Sequence, residues 1–411
     1  MIVRQYIRDF EKMGFGMFVH FGIYSLLSKG EWAKHILHIS DDEYYPLYRQ
    51  FNPKENWADE LVKLARDTGC RYVTLTARHH DGFSLYDTTG LNDFDSVHGC
   101  GRDLVLEFVN ACRKYDIVPF FYHTLLDWHE PSYRADFPKY LKYLRDSVEI
   151  LCQNYGKIGG LWFDGMWDRP GDDWEEDLLY SIIRRHQPEA MIINNTGLSK
   201  RGKLGHIEID SVTFERGKPS LINLENSPKY VASEMCEVLA DHWGYAKEDL
   251  NYKSPAFIIR EIAECRRNNA NMLLNVGPMG DGSIRPIDRE ILGIIGEWVR
   301  IYDEAIRDVK PTGIEIKGKP EHFILKGNDC YYLFCPDLSM VSDPNVALYG
   351  EKEGYVDSFK FGERVKKVTW LDNDAELKFE QNGDYVTVYA TPFEYGRNLV
   401  VRVAKIEVAQ E

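Results

Sequence analysis

The sequence predicts an α/β chain built as a (β/α)8-like, TIM-type barrel followed by a C-terminal antiparallel β-sandwich. Three observations carry that expectation. Up to about residue 310, short apolar runs bounded by Gly, Asp or His alternate with longer segments of helical periodicity, the pattern of parallel strands joined by crossover helices. Several of those runs end in polar or ionisable residues, as strands do where they converge on the mouth of a barrel. After Ile301-Tyr302-Asp303-Glu304-Ala305-Ile306 the text changes to short alternating segments.

The expected barrel strands are GMFVHF (16–21), YVTLTA (72–77), IVPFFY (117–122), GGLWFD (159–164), AMIINN (190–195), DSVTFE (210–215) and NMLLNV (271–276). Between them, segments 57–69, 103–115 and 137–156 repeat apolar residues every three or four positions and read as amphipathic helices. The domains are expected at 1–310 and 311–411. In the second, YYLFCP (331–336), FKFGERVKKVTWL (359–371), AELKFEQNGDYVTVYAT (375–391) and NLVVRVAKIEV (398–408) read as strands, with Asn382-Gly383 as a hairpin turn.

Composition narrows the function classes. The 411 residues carry 65 acidic against 50 basic side chains, a net charge of −15 that repels phosphate backbones and anionic lipid surfaces. Neither nucleic acid nor membrane is expected as a partner, and a neutral small ligand fits better. The eight cysteines are scattered, without the paired spacing of a zinc ribbon or the density of a secreted disulfide scaffold, so reduced thiols are expected. Charges at Arg4, Arg8, Asp9, Glu11 and Lys12 interrupt the N-terminal apolar pattern, and a cytoplasmic location is the expectation. A homo-oligomer is left open.

The chemistry concentrates at strand ends. Leu161-Trp162-Phe163-Asp164-Gly165 places a carboxylate at the end of an apolar strand, with aromatic neighbours able to wall a sugar face and a glycine that permits close approach. The competing reading is a cap on the following helix. Arg78-His79-His80-Asp81-Gly82-Phe83 places two imidazoles after a strand, with Asp81 positioned to orient one of them. They suit hydrogen bonds to hydroxyls or metal ligation. Neighbouring strand residues diverge, and His20 lacks a second histidine two positions on, so metal ligation is disfavoured. Glu31-Trp32 and the strand-end His20 and His123 extend the cluster. A glycosidase needs two carboxyls. Asp164 fills one role; for the other, Glu215 ends its own strand, whereas Glu208 precedes that strand and Glu234 follows the next loop.

Taken together, these stretches resemble glycoside hydrolase family 29, the α-L-fucosidases. The resemblance runs over nearly all of the first 310 residues through Phe15-Gly16-Met17-Phe18-Val19-His20-Phe21-Gly22-Ile23-Tyr24-Ser25, Glu31-Trp32, the Arg78 to Phe83 run, Trp162-Phe163-Asp164-Gly165 and Asn271-Met272-Leu273-Leu274-Asn275-Val276-Gly277-Pro278. Trp243-Gly244-Tyr245 and Ile295-Gly296-Glu297-Trp298 add to it. It implies Asp164 as nucleophile, a fucose pocket of His20, Glu31, Trp32, His79, His80 and Tyr122, and no metal or other cofactor. His123 joins the substrate-binding set from its strand-end position, and Trp162 as an aromatic wall beside Asp164. Thr213-Phe214-Glu215 resembles the family's Thr-Pro-Glu with Phe for Pro, which makes Glu215 the expected acid/base. Asn194-Asn195-Thr196-Gly197 departs from the Arg and Trp that follow the Asn pair in many members.

The expected reaction is hydrolysis of terminal α-L-fucosyl linkages of oligosaccharides or glycoconjugates, by double displacement through a fucosyl-enzyme. The alternatives weighed are a metal-dependent barrel hydrolase, a non-catalytic carbohydrate-binding protein, and the same fold acting on another fucose-like glycoside.

Overall fold

The computed structural model describes residues 1–196, 201–340 and 354–409. Eight parallel strands close a barrel in chain order: β1 (Phe15–Val19), β2 (Tyr72–Arg78), β3 (Val118–Thr124), β4 (Gly160–Asp164), β5 (Met191–Asn195), β6 (Ser211–Glu215), β7 (Ala232–Val238) and β8 (Ala270–Val276). Seven of these match the expected runs. The eighth, β7, has no apolar run to announce it, because Ser233, Glu234 and Glu237 interrupt the sequence ASEMCEV while the strand is buried along its whole length. Strand β8 pairs with β1 and closes the ring.

The helices Trp57–Asp67, Leu104–Lys114, Phe137–Asn154 and Glu176–His186 follow β1 to β4 in turn and bury the faces their periodicity marks. Asp103 and Asp136 cap two of them by accepting the backbone N–H three residues on. The barrel interior is filled by large side chains, including Phe18, Tyr72, Phe120, Tyr122, Trp162, Met191 and Leu273. Helix Gln5–Met13 adds Ile7 and Phe10 to that core, and Asn271 Nδ2 donates to the carbonyl of Phe10 across 2.7 Å. A packed interior, not a pore, therefore supports the strand ends.

The chain divides into two compact units. The first, Met1–Lys253 with Ala270–Gly293, contains the barrel strands. The second, Ser254–Asn269 with Ile294–Glu411, contains two antiparallel sheets. Strands β9 (Lys310–Pro311), β10 (Phe323–Lys326), β11 (Cys330–Cys335), β13 (Val365–Trp370) and β16 (Arg402–Val408) form one, in the order β13-β16-β11-β10-β9. Strands β12 (Tyr355–Lys360), β14 (Phe379–Asn382) and β15 (Tyr385–Ala390) form the other. Leu333, Val368, Trp370 and Ile406 from the larger sheet pack with Phe359, Val386 and Val388 from the smaller, the paired apolar faces of a sandwich. The β14–β15 hairpin turns at Gly383-Asp384, one position beyond the expected Asn382-Gly383, because Asn382 still pairs with Tyr385; Gly383 takes φ 59°. The run 359–371, read as one strand, is two, broken at Phe361 to Arg364 between β12 and β13. All eight cysteines are free thiols. Among the described residues no helix is long and apolar enough to cross a membrane.

Candidate active site

The C-terminal ends of the barrel strands enclose a cavity of about 490 Å³. Its walls include Phe18, His20, Trp32, His79, His80, Tyr122, Trp162, Asp164, Trp167, Asn195, Glu215 and Trp243. Strand β4 delivers Asp164 as its last residue, and Gly165 follows at φ 104°, a left-handed turn that a side chain would strain. That turn starts the short 3-10 segment Met166–Asp168 and brings Trp167 back over the carboxylate.

Four groups surround Asp164. Tyr122 donates its hydroxyl to Oδ2 across 3.0 Å, and His80 Nε2 lies 3.5 Å from the same oxygen. Trp167 Nε1 donates to Oδ1 across 3.0 Å, and Asn195 Nδ2 to Oδ1 across 3.3 Å. Burial pushes this carboxyl up, but His80, Trp167 and Tyr122 outweigh it and hold it below its ordinary value. Glu215 is displaced the other way: burial raises it first and the charge of Asp164 second. One polar side chain joins the two, since Asn195 Nδ2 also donates to Glu215 Oε2 across 2.8 Å while Thr213 donates to Asn195 Oδ1. The cavity thus shifts its two carboxyls in opposite directions, Asp164 down and Glu215 up.

The histidines are set by partners outside the cavity. Asn275 donates through Nδ2 to the carbonyl of Trp243, so its Oδ1 accepts from His20 Nδ1 at 2.7 Å and His20 keeps Nε2 as an acceptor. Burial drives His20 down to about 3, so its ring is neutral at physiological pH. Thr124 gives its hydroxyl proton to the carbonyl of Leu126 and accepts from His80 Nδ1 at 2.7 Å, which turns His80 Nε2 toward Asp164. His79 is buried, held neutral chiefly by desolvation, and its Nδ1 has no protein partner. Both His79 and His80 reach the wall because β2 ends at Arg78; their ring centroids are 4.2 Å apart. Strand alternation therefore does not separate them.

Several expectations change in the structure. His123 is turned away from the cavity: alternation on β3 sends Tyr122 inward and His123 outward, where Nε2 meets Ser147 at 2.7 Å and Nδ1 the carbonyl of Thr124. Asp81 does not orient either neighbouring histidine; it accepts from Tyr44 and from the N–H of Phe83. Glu31 is buried behind the wall, where it accepts the N–H of Gly244 at 2.7 Å. Glu208 is tied to Arg4 and Arg184. Glu234 lies inside the barrel core, bound by Tyr72 and Trp162. Of the three acid/base candidates, the geometry puts Glu215 alone on the cavity wall, and its neighbour Arg216 lies over Trp243 instead of pairing with it. Asn195, Trp167 and Trp243 were not among the expected site residues. Asn195 was legible as a strand end, and Trp167 follows Asp164 at i+3 through a glycine. Gly197, the last residue of the divergent Asn-Asn-Thr-Gly loop, lies outside the described residues.

A family model described as Alpha-L-fucosidase matches residues 3–304. The human tissue alpha-L-fucosidase is 28% identical over 360 residues, covering 79% of this chain and 74% of its own. Among solved structures, alpha-L-fucosidase isoenzyme 1 from Paenibacillus thiaminolyticus superposes with a TM-score of 0.83 at 27% identity, over 99% of both chains. A GH29 alpha-L-fucosidase from Bacteroides thetaiotaomicron, solved as a trapped covalent intermediate, shares the fold with a TM-score of 0.81 at 22% identity, over 99% of this chain and 97% of that one.

Proposed function

This chain belongs to the α-L-fucosidase family of glycoside hydrolases, and from that premise we propose that it cleaves terminal α-L-fucosyl linkages with retention of configuration, using Asp164 as nucleophile and Glu215 as acid/base. The observation that carries the assignment is the Asn195 bridge. One amide nitrogen bonds an oxygen of each carboxylate, which limits those two oxygens to a separation of about 6 Å, the two bonds laid end to end. Retaining glycosidases hold their carboxyls about 5–5.5 Å apart, and inverting ones about 6.5–9.5 Å to admit a water. The bridge favours direct attack.

In the first half-reaction Asp164 attacks the anomeric carbon while Glu215 gives its proton to the departing glycosidic oxygen, and an ester forms between Asp164 and the sugar. Esterification removes the charge that helps to keep Glu215 protonated, so the same carboxylate then takes a proton from the incoming water. Water attacks the anomeric carbon, the ester bond breaks and Asp164 is regenerated. His20 accepts from a sugar hydroxyl through its bare Nε2, His79 supplies a second polar contact, and the rings of Phe18, Trp32 and Trp162 receive the methyl group and apolar face of fucose.

The test is the anomer first formed from an aryl α-L-fucoside, followed by proton NMR, together with the Asp164→Ala and Glu215→Ala variants. Retention is expected, with Asp164→Ala inactive and Glu215→Ala restored by azide as an external nucleophile. An inverted first product sinks the double-displacement reading.

A further inference from the structure

The second unit contains a buried cluster that the fucosidase chemistry does not use. His322 precedes β10 and Cys335 ends β11, both on the larger sheet, while Asp357 lies on β12 of the smaller one. The side chains of His322 and Asp357 are fully buried, as is Cys335. His322 Nδ1 is 2.9 Å from Asp357 Oδ1, and Cys335 Sγ is 3.8 Å from Asp357 Oδ2. One donor atom from each of the three residues lies within 4.8 Å of the others.

We propose that His322, Cys335 and Asp357 bind a borderline-soft divalent cation of the zinc class, which pins the two sheets of the sandwich together. Three arguments support this. Metal bonds of about 2.0–2.3 Å in tetrahedral geometry place donor atoms roughly 3.3–3.6 Å apart. The 2.9 Å separation is to Asp357 Oδ1 and the 3.8 Å separation to Oδ2, and with one donor atom from each residue within 4.8 Å of the others, side-chain rotation brings the three to that spacing. The donor set also fits in chemistry. An imidazole nitrogen, a cysteine sulfur and a carboxylate oxygen are the ligand types a zinc-class ion takes, and binding displaces any proton they carry.

The third argument concerns what lies around the donors. His322 Nε2 is bonded to Asp337, whose other oxygen faces Lys319 at 3.6 Å. A carboxylate on the far nitrogen of a metal-bound imidazole fixes its tautomer and raises its basicity. Conversely, the metal-free cluster serves Asp357 poorly, because its buried Oδ2 meets a thiol, a weak donor, at 3.8 Å. A thiolate in the set selects zinc-like ions over magnesium or calcium. The site has three protein donors, the number that leaves one position of a zinc tetrahedron open.

The full-length protein, stripped with chelator and dialysed, is titrated with Co²⁺ and separately with Zn²⁺. One equivalent of Co²⁺ per chain is expected, with a thiolate-to-cobalt charge-transfer band that Zn²⁺ abolishes by displacement, and Zn²⁺ raises Tm. Cys335→Ser removes the band, and Asp337→Asn weakens Co²⁺ binding about 10- to 100-fold. Fucosidase activity in each variant serves as the check of folding. A wild-type protein with neither the band nor a Zn²⁺-dependent Tm overturns the proposal without recourse to any variant. A band that persists in Cys335→Ser overturns it as well, since another thiol would then be the ligand.

Discussion

The indole of Trp167 donates to Asp164 Oδ1 across 3.0 Å, although the two residues are only three apart and Trp167 is the more exposed partner. The bond is one of those that hold Asp164 ionised. Trp167→Phe keeps an aromatic face and deletes the donor. Asp164 then becomes easier to protonate, and the acidic limb of the kcat/KM profile against pH moves to higher pH. A limb that stays in place would show that the indole N–H does not act on the Asp164 carboxyl.

The two carboxyls set the shape of that profile. In the proposed double displacement activity needs Asp164 ionised and Glu215 protonated, so it is expected to fall below the lowered Asp164 value and again above the raised Glu215 value. Part of the Glu215 shift comes from the charge of Asp164. In Asp164→Asn that charge is gone, and the Glu215 carboxyl, followed by carbon NMR, titrates at lower pH than in the parent. An unchanged or higher value would mean that the two are not electrostatically coupled.

Asn195 contributes through the bridge. Its bond to Glu215 favours the carboxylate form, so in Asn195→Ala the pKa of Glu215 rises and the alkaline limb moves up. Positioning of the acid is lost at the same time. A fucosyl disaccharide, whose leaving oxygen needs a proton, should therefore lose more kcat/KM than an aryl fucoside with an activated leaving group. Equal losses on both substrates would place the role of Asn195 elsewhere.

What was readable in the sequence follows from how strongly each position is constrained. Seven barrel strands announce themselves because they are apolar on both faces, as strands under helices must be. Strand β7 does not, because its inward position 234 is a glutamate whose partners, Tyr72 and Trp162, come from β2 and β4. No local pattern can encode that. Asp164, Glu215, His20, His79, His80, Tyr122, Trp32 and Trp162 meet at one cavity as strand-end logic and the family resemblance imply. His123 does not, because strand-end logic ignores which face a residue takes when the last two positions of a strand differ in parity.

His123 accordingly yields a prediction opposite to that for its neighbour. His123→Phe removes a buried contact to Ser147 and leaves that hydroxyl with Tyr86 as a remaining partner. It should cost about 1–3 kcal/mol of stability, read as a lower denaturation midpoint, with KM for an aryl fucoside unchanged. Tyr122→Phe, which deletes a bond to Asp164, should leave stability nearly intact and lower kcat/KM. A KM effect at His123 would return it to the substrate site.

Glu234 links the barrel core to the cavity. It accepts from Tyr72 at 2.5 Å and from Trp162 Nε1 at 2.9 Å; Trp162 stacks on Tyr122 at 5.6 Å, and Tyr122 holds Asp164. Burial pushes the Glu234 carboxyl up to about 7 against the pull of those two donors. Because the folded value lies above the unfolded one, protonation stabilises the fold fully below the ordinary carboxylate range, and that contribution is lost as pH rises through about 7. The shift corresponds to something on the order of 3 kcal/mol between the two limits. Glu234→Gln removes the titration, so denaturant midpoints measured from pH 4 to 8 should fall less steeply than in the parent. A parallel slope in both proteins would mean that Glu234 does not change its protonation state across this range.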